Sequence, residues 1–186
     1  KDIFSNTTHT KIGHNLKFDI SILENHDCPV KGTCYDTLIA HSLIEPEQRH
    51  NLDILAENLL QYKTIPFSEL VPNAKKGELI DYEKIDIDKL TNYAIEDADI
   101  TFQLWQILKP QLESLGQSEV FYKIEMPLLP VLIAMEKEGI NICVKTLKNI
   151  GDTLSIEIEK LRSEIYETAG QEFNLNSPKQ LGVILF

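Results

Sequence analysis

Two short stretches of the chain place an acid four residues after a polar side chain. The first is Gly-His-Asn-Leu-Lys-Phe-Asp, from Gly13 to Asp19, and the second is Tyr-Ala-Ile-Glu-Asp-Ala-Asp, from Tyr93 to Asp99. On a helix, positions i and i+4 share a face. Asn15 and Asp19 therefore point the same way, and so do Tyr93 and Asp97. Carboxylates brought together from separate helices bind divalent cations. Two such ions about 4 Å apart activate a water and stabilise the leaving oxygen in phosphodiester cleavage. A tyrosine hydroxyl one turn from a metal-binding acid is placed to orient that water. Each stretch also has a plainer reading. Asn-x3-Asp at a helix start is a cap plus a surface acid. Tyr-x3-Asp is a packed ring beside a solvated carboxylate, and Glu96, Asp97 and Asp99 together form a solvated acidic face.

The elements that must position these residues follow from hydrophobic periodicity. Residues 9–13 read as a short strand, and the next segment recurs at Leu16, Ile20 and Leu23 with a helical period. Residues 30–35 read as a second extended piece. Asp36 is an N-cap for the helix at 37–45, which Pro46 stops. Residues 50–62 form an amphipathic helix with Leu52, Leu55 and Leu59 inward. Alternating strand and helix predicts an α/β layer architecture, in which sites form at the carboxyl ends of the strands. Residues 63–84, with Pro66, Pro72 and Lys75-Lys76-Gly77, read as a loop. Its lysine pair is solvated, or touches a phosphate backbone.

A long helix follows from Ile87 to Leu115, which Pro110 kinks or breaks. From Val120 onward only helices are predicted, so a domain boundary is placed near 119. One helix puts Leu128, Leu132 and Met135 on one face and stops at Gly139. The next carries Leu147, Ile150, Leu154, Ile158, Leu161 and Ile165, close to a heptad stripe, and ends at Gly170. Ser177 caps the last helix with Pro178 at its first position.

Composition bounds the function. The net charge of −11 gives no general attraction to a polyanion. A carboxylate site holding divalent cations nevertheless acts on phosphodiesters, because the ions supply the local positive charge. No apolar run approaches the ~18 residues that span a membrane. The first residues lack both the apolar core of a signal peptide and an initiator Met, so the chain is expected to begin partway through a longer protein. The three cysteines, Cys28, Cys34 and Cys143, form no disulfide framework and point to a reducing compartment. His26, Cys28 and Cys34 match no zinc spacing and read as a histidine beside buried or edge thiols.

The two acid-bearing stretches, in this order and with this tail, resemble the 3′–5′ proofreading exonuclease domain of the bacterial DNA polymerase I family (family A). Ile12–Asp19 is similar to its second exonuclease motif, and Tyr93–Thr101 to its third. The intervening segment shares the Asp36-Thr37 pair and Arg49-His50 before the Leu-rich helix. Residues 124–140 and 172–186 resemble the start of the polymerase domain and its entry into the thumb. The resemblance implies an RNase H-like α/β fold at 1–119, with a truncated sheet, and a helical start of the polymerase domain at 120–186. It implies Asp19 and Asp97 as metal-site carboxylates, Tyr93 as the residue that positions the nucleophilic water, Asn15 at the substrate end, and His14 beside the site on the substrate side. The implied cofactor is Mg²⁺ or Mn²⁺, two ions in the complete parent site. The implied partners are a single-stranded DNA 3′ end and the rest of the polymerase chain, with no membrane, in the bacterial cytoplasm at the nucleoid.

The family's first motif, an Asp-x-Glu on an early strand, has no counterpart in residues 1–12, whose one acid is Asp2. That motif is expected N-terminal to Lys1, and the polymerase palm and fingers beyond Phe186. The chain is thus expected to be an internal piece with weak or no metal binding and little or no activity by itself. Its exposed sheet edge would offer a route to an oligomer. Two other readings stand beside this one. One is a vestigial exonuclease-fold scaffold that supports the polymerase. The other is an RNA-trimming exonuclease of the ribonuclease D type, against which the tail from 120 argues.

Overall fold

The computed structural model describes residues 1–71 and 80–186. Lys75-Lys76-Gly77, read above as a solvated or phosphate-contacting loop, lies outside the described residues. The chain divides into two compact units, Lys1–Gly139 and Ile140–Phe186.

The first unit opens with a helical turn α1 (Asp2–Ser5) and strand β1 (Lys11–Gly13), followed by helix α2 (Leu16–Asn25), strand β2 (Cys34–Asp36) and helix α3 (Thr37–Ile44). α4 (Leu52–Leu55) runs into a π-turn at Ala56–Leu60, and a short α5 (Phe67–Leu70) follows. The long α6 (Ile87–Ser114), a turn α7 (Ser118–Val120), a second π-turn at Phe121–Glu125 and α8 (Met126–Glu138) complete the unit. β1 and β2 pair in parallel, with Ile12 opposite Tyr35 and Gly13 opposite Asp36. The expected α/β class is present, with the strands shorter than periodicity suggested.

The turn from β1 into α2 is made by the chain's own special residues. A Cβ on Gly13 would lie 2.2 Å from Leu16 Cδ2, so only glycine lets the helix start this close to the strand. Asn15 then takes a left-handed backbone, φ 62° and ψ 47°, a region Asn tolerates better than most residues. It therefore precedes the helix rather than lying on its first turn, and its side chain caps nothing.

That task falls to Asp36. Its Oδ1 accepts from Asn15 N at 3.1 Å and its Oδ2 from Leu16 N at 2.7 Å. The same carboxylate caps α3, with Leu38 N at 2.9 Å and Ile39 N at 3.4 Å from Oδ1. Two helix N-termini thus converge on one buried side chain, where backbone N–H groups and helix dipoles both favour an anionic group.

The main core lies between α6 and the α3–α4 layer. Ile100, Leu104 and Leu108 recur every four residues on α6 and bury against Ala40, Leu55 and Phe121, each of the larger side chains contributing about 1.5–3 kcal/mol. Trp105 stacks on Tyr35 with ring centroids 4.8 Å apart, tying α6 to β2. Pro110 does not break α6. It and Gln106, whose carbonyl loses its helical donor, both lie on the exposed face, where water replaces the missing bond.

A second cluster joins Leu16 and Ile20 of α2 to Leu129 and Ile133 of α8. α8 therefore buries that face, and Leu128, Leu132 and Met135 stay exposed. This contact and the fully buried Phe121 carry the first compact unit to Gly139.

The second unit holds α9 (Val144–Ala169) and α10 (Pro178–Leu185). Gly170 ends α9 at φ 69°, and Ser177 Oγ accepts from Gln180 N at 3.3 Å to start α10, as their spacing suggested. The stripe from Leu147 to Ile165 is exposed along its length. Among the described residues, no helix is long and apolar enough to cross a membrane.

Asp36→Ala should destabilise the first unit by about 3 kcal/mol or more, since charge-assisted bonds and two helix caps are lost together. A urea melt should show the midpoint falling at an unchanged m-value.

Candidate active site

A cleft of about 790 Å³ opens at the carboxyl end of β1. His14, Asn15, Asp19, Tyr93 and Asp97, the five residues singled out from sequence, all line it. The β1–α2 corner supplies the first three and α6 the other two. Their meeting follows from the Asp36 cap, which sets the start of α2, and from the α6 core, which sets the rotation of Tyr93 and Asp97.

The electrostatics are those of acids held partly out of water. Burial raises the pKa of Asp19, and the negative charge of Asp36 adds to the rise. Burial also raises Asp97, with Glu96 pushing the same way, while a hydrogen bond from Tyr93 opposes it. Tyr93 is pushed up to about 12, by burial first and then by the charge and hydrogen bond of Asp97. Its hydroxyl keeps its proton at neutral pH and donates it to Asp97. The ring meets Phe67 edge to face, centroids 5.9 Å apart.

His14 is lowered by burial, against the pull of Asp36. Its Nδ1 lies 2.9 Å from Thr37 Oγ1, whose hydroxyl is 3.1 Å from the Gly13 carbonyl oxygen. His14 is thus a neutral, hydrogen-bonded neighbour of the acids. Asp36 is the double cap described above. The free cysteines take no part in the cleft, Cys28 being buried, Cys34 half-buried and Cys143 exposed.

A family model described as a 3′–5′ exonuclease of the DNA polymerase A type matches residues 1–113. The chain belongs to this exonuclease family. The DNA polymerase I of Rhizobium leguminosarum is 36% identical over 186 residues, all of this chain but 18% of that protein. The chain thus spans under a fifth of that relative's length. Among solved structures, the Pol1 POL domain from M. smegmatis, in complex with DNA primer-template and dNTP, matches over 100% of this chain and 29% of its own, at TM-score 0.73 and 22% identity. NrnC of Brucella melitensis with bound Mg²⁺ matches over 77% of this chain and 67% of its own, at TM-score 0.59 and 20% identity. Both likenesses are of fold.

The cleft also contains residues that the sequence pattern did not single out. Asp53, Glu57, Lys63 and Phe67 line it. Asp53 and Glu57 repeat the same i, i+4 spacing, a signal hidden because that segment reads first as a leucine-rich helix. The acidic run 96–99 proves to be three different things. Asp97 faces the cleft and Asp99 is exposed with Gln103 Nε2 2.6 Å away. Glu96 accepts from Tyr62 and Ile65. Among the described residues, no group of three or more His, Cys, Asp or Glu is gathered closely enough to hold a metal.

The raised Asp97 carries a stability consequence for this exonuclease domain. An acid whose folded pKa exceeds its unfolded one costs stability above the folded pKa and nothing below the unfolded one. Asp97→Asn should therefore melt higher than wild type at pH 7 in EDTA. The gain should fade as pH falls through the folded pKa and vanish near pH 3, followed by differential scanning fluorimetry.

Proposed function

We propose that residues 1–119 are the catalytic 3′–5′ exonuclease portion of a bacterial DNA polymerase I, and that residues 120–186 begin its DNA-directed DNA polymerase portion. The reaction is hydrolysis of the last phosphodiester of a frayed single-stranded 3′ end, releasing a nucleoside monophosphate. The observation that carries this reading is convergence. Asp19 from α2 and the hydrogen-bonded Tyr93–Asp97 pair from α6 line one cleft at a strand's carboxyl end. Family membership and the DNA polymerase I relative support it.

Beside His14, Asn15 and Lys63, the cleft is lined by the carboxylates of Asp19, Asp53, Glu57 and Asp97 and the Tyr93 hydroxyl, oxygen donors that suit a hard divalent cation such as Mg²⁺ or Mn²⁺. The fold likeness to NrnC with bound Mg²⁺ points the same way. Asp19 and Asp97 are the residues to hold it, and their raised pKa values mark carboxylates short of a positive neighbour. When bound, the cation supplies an activated water and charge stabilisation at the leaving oxygen.

The chain's own residues do the rest. Tyr93, fixed by donation to Asp97, presents its hydroxyl oxygen to the attacking water and sets its direction. Asn15, held in its left-handed turn, offers its amide to the end of the strand. Neutral His14 adds no charge beside the acids. Phe67 gives the terminal base an aromatic surface, a sequence-tolerant contact suited to proofreading any mismatch. The partners are the DNA strand and the rest of the polymerase, in the bacterial cytoplasm at the nucleoid.

The test uses the full-length protein and a labelled single-stranded DNA. Mg²⁺-dependent release of nucleotides from the 3′ end is expected, with Asp97→Ala lowering the rate by more than about 100-fold, beyond what loss of an outer-shell partner costs. A folded wild-type protein that releases nothing would mean that the domain serves as a scaffold.

A further inference from the structure

One wall of the cleft is lined by residues 63–67, part of a strap of chain that begins at Tyr62. It leaves the π-turn at Gln61, whose left-handed backbone, φ 54° and ψ 35°, turns it toward α6. A single carboxylate then fastens it at two points. The Tyr62 hydroxyl donates to Glu96 Oε1 at 2.7 Å, and the Ile65 N–H donates to Glu96 Oε2 at 2.7 Å. Lys63 sits between the fastenings and lines the cleft.

Lys63 is the one lysine or arginine among the described residues lining this cleft, against the acids Asp19, Asp53, Glu57 and Asp97. Among the described residues it forms no ion pair. A nucleic-acid strand brings phosphates that these acids repel, so entry needs positive charge placed where the strand runs. A flexible lysine gives that only if its backbone is held. Glu96 holds the residue before Lys63 by its side chain and a residue just after it by its backbone.

We propose that Glu96 is a positioning residue, which by fastening the strap sets Lys63 at the cleft to contact a backbone phosphate of the bound strand. The inference rests on the exonuclease reading above and adds to it the phosphate contact and the residue that places it. Glu96 itself touches neither strand nor water.

The test is steady-state hydrolysis and equilibrium binding of labelled single-stranded DNA by the full-length protein across a salt series. Lys63→Met should raise KM roughly 5-fold at a little-changed kcat, the scale of an exposed charge contact. It should also lower the slope of log affinity against log salt by about 0.7, one single-strand phosphate. Lys63→Arg should keep the slope. Glu96→Ala and Tyr62→Phe should raise KM in the same direction, and hydrogen exchange at the Ile65 amide should quicken in Glu96→Ala at an unchanged melting temperature. Glu96→Gln separates geometry from charge. Its amide oxygen accepts from Ile65 and its NH₂ donates to the Tyr62 oxygen, so KM should recover toward wild type.

An unchanged KM and salt slope in Lys63→Met overturns the inference. So does a Glu96→Ala defect confined to kcat, which would mean that Glu96 acts through its charge on Asp97. Wild-type protein that hydrolyses nothing but binds the strand with a Lys63-dependent slope breaks the function reading alone. Neither hydrolysis nor binding breaks both.

Discussion

Asp36 sits at the end of β2 with its carboxylate inside the protein, and four backbone N–H groups from two helix starts point at it. Most helices are capped by a residue of their own. Here α2 is capped from the neighbouring strand, so the start of the Asp19 helix is set by sheet register rather than by local sequence. Gly13 opposite Asp36, the left-handed Asn15 and the close approach of Leu16 all follow from bringing that helix within reach of one carboxyl group. Removing it would leave four donors without their acceptor, that of Leu16 in the interior, a larger penalty than the loss of an ordinary surface cap.

The acids beyond it show the opposite balance. Asp19 and Asp97 are held where burial disfavours their charged form, and a hydrogen bond from Tyr93 relieves Asp97 only in part. Asp36 accepts from four backbone N–H groups and serves the fold, whereas burial leaves the two cleft acids with raised pKa values. The contrast sets a structural carboxylate beside the acids proposed for catalysis. Under the proposed function, stability gained by neutralising the cleft comes at the expense of activity.

Sequence made some of this legible and some not. The i, i+4 pair Tyr93–Asp97 reached one cleft because both residues lie on α6 and such spacing reports shared direction there, whereas Asn15 reaches it from the left-handed turn before α2 rather than from a shared helical face. The caps at Asp36 and Ser177 and the stops at Gly139 and Gly170 were readable because they depend on local chemistry. What failed depended on neighbours distant in sequence. Periodicity put Leu128, Leu132 and Met135 on one face of α8, but the surface of α2 selected Leu129 and Ile133. Asp53 and Glu57 were masked by the leucines around them. Glu96 looked like one more solvated acid until Tyr62 and Ile65, far upstream in the chain, were seen to donate to it.

α6 carries three obligations on one rod. Ile100, Leu104 and Leu108 bury in the core, Tyr93 and Asp97 face the cleft, and Glu96 fastens the strap. An α-helix turns about 100° per residue. A single insertion or deletion between Asp97 and Ile100 would leave the core in place and swing the tyrosine, the acid and the clamp away together. Point substitutions degrade these functions one at a time, but a shift of frame within the helix abolishes them at a stroke. Length changes in this family should therefore be confined to the connections before Asp86 and after Ser114, with the span between them kept at constant count.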